Sequence, residues 1–391
     1  MRTWLPEKPA GRVIVIGAGK AAASMAEELE NRWGGPLSGH VIVPHGHGVA
    51  CRWIEVIEAS HPVPDESGVA AAMKILNSVS NLRADDTVVC LISGGGSSLL
   101  CLPADGVTLA EKQSITSQLL RSGAAIYEIN CVRKKLSAIK GGKLAAACAP
   151  ANVITLIISD VPGNDISMVA SGPTVADAST PSEAFSILDR YAISVSDNAR
   201  LAIESSRPLA IANSDIRILA SSDDALLAAA ALAVERGIAP YLLGDLRGDA
   251  RALALQHAEL ALQIVAGTGP VEPPCVILSG GETTVEVHGD GRGGRNGEYA
   301  LTLAIALLGH PAIFALACDT DGIDGRGDNA GSFVTPNILQ RADAAGIDAK
   351  VMREHNDSYE FFRRTLELII TGPTRTNVND FRAILIADVK E

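Results

Sequence analysis

Aromatic residues are scarce in this chain. Phe, Trp and Tyr together make up 4% of its 391 residues, whereas hydrophobic residues as a whole make up 47%. A core of any size must therefore be built from Ala, Val, Ile and Leu, which suits buried parallel strands under small-residue helices. Positive charge is in short supply as well. The formal net charge of −12 argues against a nucleic-acid backbone or an anionic membrane surface as the main partner. A small anionic substrate stays admissible if cations are gathered locally. None of the seven cysteines, at 51, 90, 101, 131, 148, 275 and 318, belongs to a C-x-x-C pair. Several lie inside apolar runs, as small core residues do. An odd, scattered set points to a reducing compartment rather than a disulfide scaffold. The opening "MRTWLPEKPAG" lacks the apolar stretch of a signal peptide, so a cytoplasmic location is expected. The longest apolar region, "LTLAIALLGHPAIFALAC" (301–318), is broken by Gly309, His310 and Pro311 and reads as helix, turn and strand instead of a membrane span.

Two catalytic signatures are also missing. The G-x-S-x-G elbow of many hydrolases does not occur. Among eight His, only His45-x-His47 forms a close pair, which lacks the companions a zinc site needs. No zinc is expected.

What is present is alternation. The length suffices for two ordinary domains. Strand-like runs at 13–16, 41–43, 54–57, 87–92, 153–158, 216–220, 240–243, 275–279, 284–287, 313–318 and 383–387 alternate with Ala-rich helical stretches. Those stretches lie at 20–32, 66–80, 108–121, 134–148, 182–190, 223–236, 248–265, 297–308, 336–344 and 357–366. The pattern predicts α/β architecture with helices on both sheet faces. Two three-layer α/β/α domains are expected, the first Rossmann-like and the second with a mixed sheet. The stretch "SVSDNARLAIESSRPLAIANSD" (194–215) has weak periodicity, and a fresh strand–helix–strand unit follows it. The boundary is placed near residue 207, giving domains of residues 1–207 and 208–391.

In open α/β sheets, ligands bind beyond the carboxyl ends of strands. Four apolar runs here end in Ser, Gly or Asp: "TVVCLI" in "SGGGSSLL", "VITLII" in "SDVPGND", "PCVIL" in "SGGETT" and "IFALAC" in "DTDGIDG". One such end is routine turn chemistry; four suggest one ligand-receiving cleft. In "VIVIGAGKAAASMAEELE" (13–30), Gly17, Gly19 and Ala22 fit the loose dinucleotide pattern G-x-G-x-x-G/A. The acid expected about 20 residues on is missing, since the next strand runs into Pro44, His45 and His47. The Walker spelling fails too. What remains is a helix start that attracts anions, with Lys20 adding a full positive charge. Ser93, Gly94, Gly95, Gly96 and Ser97 can curl N–H groups around a phosphate. "GDGRGGRNGEY" (289–299) sets Arg292 and Arg295 among glycines before a helix, a place to grip oxyanions; a mobile hairpin tip reads almost as well. Asp160, Asp319, Asp321 and Asp324 are candidate Mg²⁺ ligands or a general base, although Asp319-x-Asp321-x-x-Asp324 departs from an EF-hand loop. Arg133, Lys134, Lys135, Lys140 and Lys143 crowd into one segment. On a helix, Arg133 and Lys140 would share a face and could hold an anionic substrate.

Taken together, "GAGKAAASMA", "HPVPD", "CLISGGGSSLL", "NCVRKKLSAIKGGKLA", "ISDVPGNDISMVASGPTV", "LSGGETTVEVHGDGRGGRNGE", "ACDTDGIDGRGDNAGSFV" and "TGPTRTNVNDFRAILI" resemble the glycerate 2-kinase family, which joins a glycerate kinase-type N-terminal domain to a MOFRL domain. The resemblance spans nearly the whole chain in the expected order. It implies ATP- and Mg²⁺-dependent phosphorylation of D-glycerate to 2-phosphoglycerate in a cleft between two α/β domains. It also implies that Lys20 and Arg295 are essential. Some members carry the name hydroxypyruvate reductase. The usual "RKHLS" is "RKKLS" here, so Lys135 replaces a His.

Phosphoryl transfer asks for phosphate N–H donors, Mg²⁺, cations on developing charge and an in-line hydroxyl. Lys20, Arg295 and Asp160 are the expected catalytic residues. Gly17, Gly19, the 93–97 loop, Gly280, Gly281 and Glu282 are expected around ATP. Asn130, Arg133, Lys140, Arg292 and Asn296 are expected around substrate, and Asp319 and Asp321 on Mg²⁺. The expected partners are the small molecules ATP and glycerate, with no nucleic acid and no membrane; a homo-oligomer is left open. The alternatives are an NAD(P)H-dependent hydroxypyruvate reductase and a non-catalytic sensor of a phosphate ligand.

Overall fold

The computed structural model describes residues 9–209, 211 and 214–388. The chain divides into two compact units, Met1–Leu219 and Ala220–Glu391.

The strands of the first unit are β1 (Val13–Ala18), β2 (Ser38–Pro44), β3 (Ile54–Ala59), β4 (Thr87–Ile92), β5 (Asn152–Ile158) and β6 (Ser214–Ala220). They form one sheet in the order β3-β2-β1-β4-β5-β6. β1 pairs in parallel with both β2 and β4, β2 with β3, and β4 with β5. β1 and β4 are buried along their whole length, as continuous apolar runs covered on both faces should be. α1 (Ala22–Trp33) covers one face, setting Ala22, Met25, Ala26 and Leu29 against Val15, Val41 and Leu91. α2 (Glu66–Ser78) covers the other with Ala71, Ala72 and Ile75 against Ile14, Ile16 and Val88. Small helix residues let the layers approach closely, which is how a chain so poor in aromatics fills its core. The strand order reverses between β1 and β4, and the crevice at the carboxyl ends of those strands is where such sheets bind ligands.

A helical layer follows: α3 (Gly96–Leu99), α4 (Leu109–Arg121), α5 (Ile126–Lys135), α6 (Lys143–Ala147), α7 (Pro181–Arg190) and α8 (Asp197–Ser205). Leu119, Val132, Ile187 and Ile203 share one of its cores. The helix expected over 134–148 is corrected here. α5 stops at Lys135, and Gly141 and Gly142 take left-handed φ values of 62° and 82° before α6 begins. A glycine pair of that kind ends a helix more readily than it continues one. The weakly periodic stretch holds α8, whose N-terminus is capped by Ser196 Oγ accepting from Ala199 N. The expected boundary near 207 falls before β6, which the first sheet takes as its sixth strand.

The second unit contains α9 (Ser222–Glu235), β7 (Ala239–Asp249), α10 (Ala250–Val265), β8 (Cys275–Thr284), α11 (Arg295–Leu307), β9 (Ile313–Asp319) and β10 (Gly331–Val334). It continues through α12 (Ile338–Ala344), α13 (Ala349–Glu354), α14 (Ser358–Arg364), β11 (Leu368–Ile369) and β12 (Asp380–Ile386). Its sheet runs β11-β10-β9-β12-β8-β7 and is mixed: β7 and β8 are parallel and the other pairs antiparallel. α10 and α11 pack Leu253, Ala258, Leu301 and Ala304 on one face, and α9 sets Leu226 and Ala230 on the other. The separate strand expected at 284–287 does not form, because β8 runs unbroken through Gly280 and Gly281. All seven cysteines are free, and among the described residues no helix is long and apolar enough to cross a membrane.

One ion pair, between the exposed Arg12 and a buried carboxylate, ties the start of β1 to the start of β4. The Asp86 side chain, 1% exposed, accepts from Arg12 Nη2 at 2.6 Å, Arg12 N at 2.8 Å and Arg83 N at 2.9 Å. The Arg12 guanidinium and these N–H groups hold the Asp86 carboxyl far below the usual carboxylate range. A depressed folded-state pKa gives stability that is present above the unfolded value of about 4 and lost as pH falls below it. Asp86→Asn should therefore lower Tm at pH 7, and the gap from the parent protein should close as the pH drops below about 4. Thermal melts across pH check this; a gap that stays constant would show that the charge is not what matters.

Candidate active site

The turns after β1 and β4 are sewn together. Lys20 N donates to Gly94 O at 2.9 Å, Ser93 N to Ala18 O at 3.2 Å, and Gly19 N to Ile42 O at 3.0 Å. Ser93 Oγ accepts from Ala21 N at 2.9 Å. Gly19 has φ +136°, and a Cβ there would lie 2.2 Å from Ser93 Oγ, so no other residue fits. Gly95 has φ +81°, and a Cβ there would lie 3.0 Å from His61 Nε2 and 3.4 Å from Lys20 Cγ. Lys20, His61 and the 93–97 loop thus converge at the crevice that the strand order creates. Gly95→Ala should cost only roughly 1–2 kcal/mol of stability through left-handed strain but lower kcat by tenfold or more, because it displaces Lys20 or His61. Steady-state kinetics beside a thermal melt separate the two effects.

A strap supports the loop from behind. Ser97 Oγ is 2.9 Å from Ser171 Oγ, which donates to Asn130 Oδ1 at 2.8 Å. Ala170, Ser171 and Gly172 all have left-handed φ, at 51°, 62° and 58°, a strain of roughly 1–3 kcal/mol per non-glycine residue that surrounding contacts must hold. Lys140 Nζ, itself buried, donates to Ala170 O at 3.1 Å. Asn130 and Lys140 therefore reach the loop through this strap.

Beside the loop lies a cavity of about 430 Å³ whose lining includes Pro62, Ser97, Lys112, Arg133 and Lys140. Arg133 and Lys140 do meet, but not as one helix face, since α5 ends between them. Burial pushes the Lys112 ammonium down to about 8 and Lys140 well below the usual lysine range, and lowers Arg133 too. Lys135, the residue standing in the place of the family's His, points elsewhere: its Nζ donates to Asp177 Oδ2 at 2.8 Å and to Ser179 O at 2.6 Å. Asp160 follows β5 by two positions and is half-buried.

In the second unit Arg295 opens α11 and is held by three carboxylates. Nε donates to Asp380 Oδ1 at 2.7 Å, Nη2 to Asp319 Oδ2 at 2.7 Å and Nη1 to Glu282 Oε1 at 3.1 Å. Burial opposes the charge, but Asp380, Asp319 and Glu282 outweigh it and raise the Arg295 pKa. Asn296 Nδ2 donates to Asp380 Oδ1 at 2.7 Å, and Asp324 caps α11 by accepting from Asn296 N and Gly297 N. Arg382 pairs with the other oxygen of Asp380. Burial, with the neighbouring Asp321 charge second, pushes the Asp319 carboxyl up to about 8. Burial likewise raises Asp324 to about 6.

Three expected phosphate glycines lie inside strands. A Cβ on Gly17 would sit 2.2 Å from Leu91 O, on Gly280 2.1 Å from Ser222 Oγ, and on Gly281 2.2 Å from Leu246 O. Their missing side chains admit neighbouring chain or side-chain atoms. Arg292 stacks on the Tyr359 ring, its guanidinium carbon 3.8 Å from the centroid, and sits 3.6 Å from Asp328. His61, Lys112 and Ser171 are not among the candidate site residues singled out in the sequence, although His61 and Ser171 lie in stretches that carry the family resemblance. Lys112 carried a usable signal: it falls on the buried stripe of α4 with Ile115 and Leu119, where a charge is out of place unless it has a task.

Among the described residues no group of three or more His, Cys, Asp or Glu is poised to hold a metal ion. Mg²⁺, however, commonly takes one or two carboxylates and completes its shell with water and substrate phosphates. Asp319 and Asp321, two buried carboxylates that repel each other, fit that mode.

Residues 2–204 match the family described as "Domain of unknown function (DUF4147)", and residues 275–380 match the MOFRL family. A D-glycerate 2-kinase from Thermotoga maritima is 40% identical over 97% of this chain and 92% of its own length. The crystal structure of a glycerate kinase from that organism superposes with a TM-score of 0.90 at 39% identity, covering 96% of this chain and 92% of the other. A protein of Agrobacterium vitis provisionally named hydroxypyruvate reductase is 50% identical over 98% of this chain and 89% of its own length. With both domains matched in order and relatives of this identity aligned nearly end to end, the chain belongs to the glycerate kinase family.

Proposed function

We propose that the protein transfers the terminal phosphoryl group of ATP to the 2-hydroxyl of D-glycerate, giving 2-phosphoglycerate. The observation that carries this reading is the convergence of Lys20, His61 and Gly95 next to a cavity lined by three cations. Lys20 stabilises charge on the transferring group. The 93–97 loop cradles phosphate oxygens, Arg133 and Lys140 hold the glycerate carboxylate, and Asp160 orients the hydroxyl and accepts its proton. Arg295, fixed by Asp380 and Asp319, supplies a second cation, and Asn296 and Glu282 keep it oriented. Mg²⁺, held by Asp319 and Asp321, would neutralise phosphate charge. Small-molecule substrates and a cytoplasmic location complete the reading.

The reductase alternative draws on the names of the 50%-identical relatives and on a strand order shared with dinucleotide-binding sheets. Against it, β2 ends in Pro44 with no carboxylate to hold a ribose. Incubation with ATP, Mg²⁺ and D-glycerate should release ADP, EDTA should stop the release, and added Mg²⁺ should restore it. ADP release in metal-free buffer would remove the roles given to Asp319 and Asp321. Oxidation of NADH by hydroxypyruvate, with no ADP release from ATP and glycerate, would replace the kinase by the reductase. Thermal stabilisation by ATP with no turnover of either kind would leave a sensor.

A further inference from the structure

The cavity beside the phosphate loop exceeds what a three-carbon acid fills. Its volume of about 430 Å³ corresponds to about fourteen waters at ~30 Å³ each. Glycerate, with three carbons and four oxygens, displaces at most half of them. Among the described residues no carboxylate forms an ion pair with Lys112, Arg133 or Lys140. Lys112 Nζ and Lys140 Nζ, on residues 4% and 1% exposed, each donate to a backbone carbonyl, Leu136 O and Ala170 O. Buried cations without a partner are costly, and an acid entering here would provide one. The rest of the wall is mostly apolar, with Pro62, Val63, Pro64 and Leu120, and the Ser114 and Ser117 hydroxyls are set into it; the Gln113 amide already donates to Pro64 O at 2.7 Å. A chain of CH(OH) groups presents both faces at once, and Leu120, 57% exposed, stands at the solvent side.

We infer that the cavity accepts aldonic acids of four to six carbons as well as glycerate, and that Lys112 is a third cation for the acid's carboxylate. This rests on the kinase reading of the same site. With the carboxylate on Lys112, Arg133 and Lys140, the adjacent 2-hydroxyl faces the Ser97 end and the remaining carbons extend towards Leu120. The 2-hydroxyl oxygen forms a bond to the terminal phosphorus of ATP, the bond from that phosphorus to ADP breaks, and the hydroxyl proton passes to Asp160.

The test is ADP release with ATP, Mg²⁺ and, in turn, D-glycerate, D-erythronate, D-ribonate and D-gluconate. The four-carbon acid should show kcat/KM within about tenfold of glycerate, the range a few pocket atoms control. Leu120→Trp, a change at an exposed position, should lower kcat/KM for the longer acids roughly tenfold or more and spare glycerate, which does not extend that far. Lys112→Gln should raise KM for every acid by a similar factor while KM for ATP holds. Should that buried substitution prevent folding, the Leu120→Trp series still decides. Turnover of glycerate with none of the longer acids, or Leu120→Trp affecting all acids equally, would overturn the inference and leave the kinase reading standing. No turnover of any acid would remove the kinase reading itself.

Discussion

Lys20→Met should lower kcat by roughly 10²–10³ or more, as removal of one preorganised electrostatic donor does, while the protein stays folded. Lys20 meets Gly95 and His61 in the crevice where β1 and β4 end, and its charge is needed most when negative charge builds on the transferring phosphoryl group. ATP binding should weaken less than kcat falls, because the ground state has other holds on the phosphates. A dinucleotide site would answer differently: Lys20→Met would change NAD(P)H affinity and leave ATP chemistry with nothing to lose. If Lys20 were only a solvated turn residue, the rate would change no more than a few-fold and stability by about 0.5 kcal/mol at most. Steady-state kinetics with ATP and glycerate, beside a thermal melt, distinguish the three outcomes.

Arg295→Ala should be more damaging, because the residue has two tasks. Its guanidinium donates to Asp380, Asp319 and Glu282, and the first two carboxylates are buried. Removing the cation strips Asp319 of its ion-pair partner and leaves Asp380 to Arg382, and breaking a buried pair from one side costs about 3–5 kcal/mol. A clear drop in Tm should therefore accompany a loss of kcat of at least roughly 10². Arg295→Lys should recover much of the stability but little of the rate, since a lysine cannot reproduce the fork that spans Asp380 and Asp319. If both residues act on one phosphoryl group, the double variant Lys20→Met/Arg295→Ala should be far less severe than the product of the single losses. Losses that multiply fully would assign the two cations to separate events.

Much of the fold is legible in the sequence because parallel strands buried on both faces are unbroken apolar runs. β1, β4 and β5 announce themselves in this way; the loops after β4 and β5 carry Ser, Gly and Asp, and the turn after β1 carries Gly19 and Lys20. The elements that do not show are short or carry no periodic signal, such as β10, β11 and α13. α8 was hidden because its buried face rests on little more than Ala199 and Ile203. Candidate residues that stand out through their chain neighbours, Lys20 and the 93–97 loop in the first unit and Arg295 in the second, can be singled out from spelling. Residues that matter through distant contacts cannot. His61 reaches Gly95 across the crevice, Ser171 bridges Ser97 and Asn130, and Asp380 lies under Arg295 from a strand 85 positions away. Glycine is ambiguous in spelling for a related reason. Gly95 shapes a loop, whereas Gly17, Gly280 and Gly281 make room for a neighbouring strand or side chain, and both demands select the same residue.

The most direct measurement is the identity of the product. After incubation with ATP, Mg²⁺ and D-glycerate, phosphorus NMR should show one new phosphomonoester coupled to a single proton, that on carbon 2, with one ADP formed for each. A signal coupled to the two protons of carbon 3 would move the reaction to the other hydroxyl and overturn the orientation given to the substrate. Absence of any new ester would contradict the account at its centre, and consumption of NADH by hydroxypyruvate in a parallel assay would put the reductase in its place.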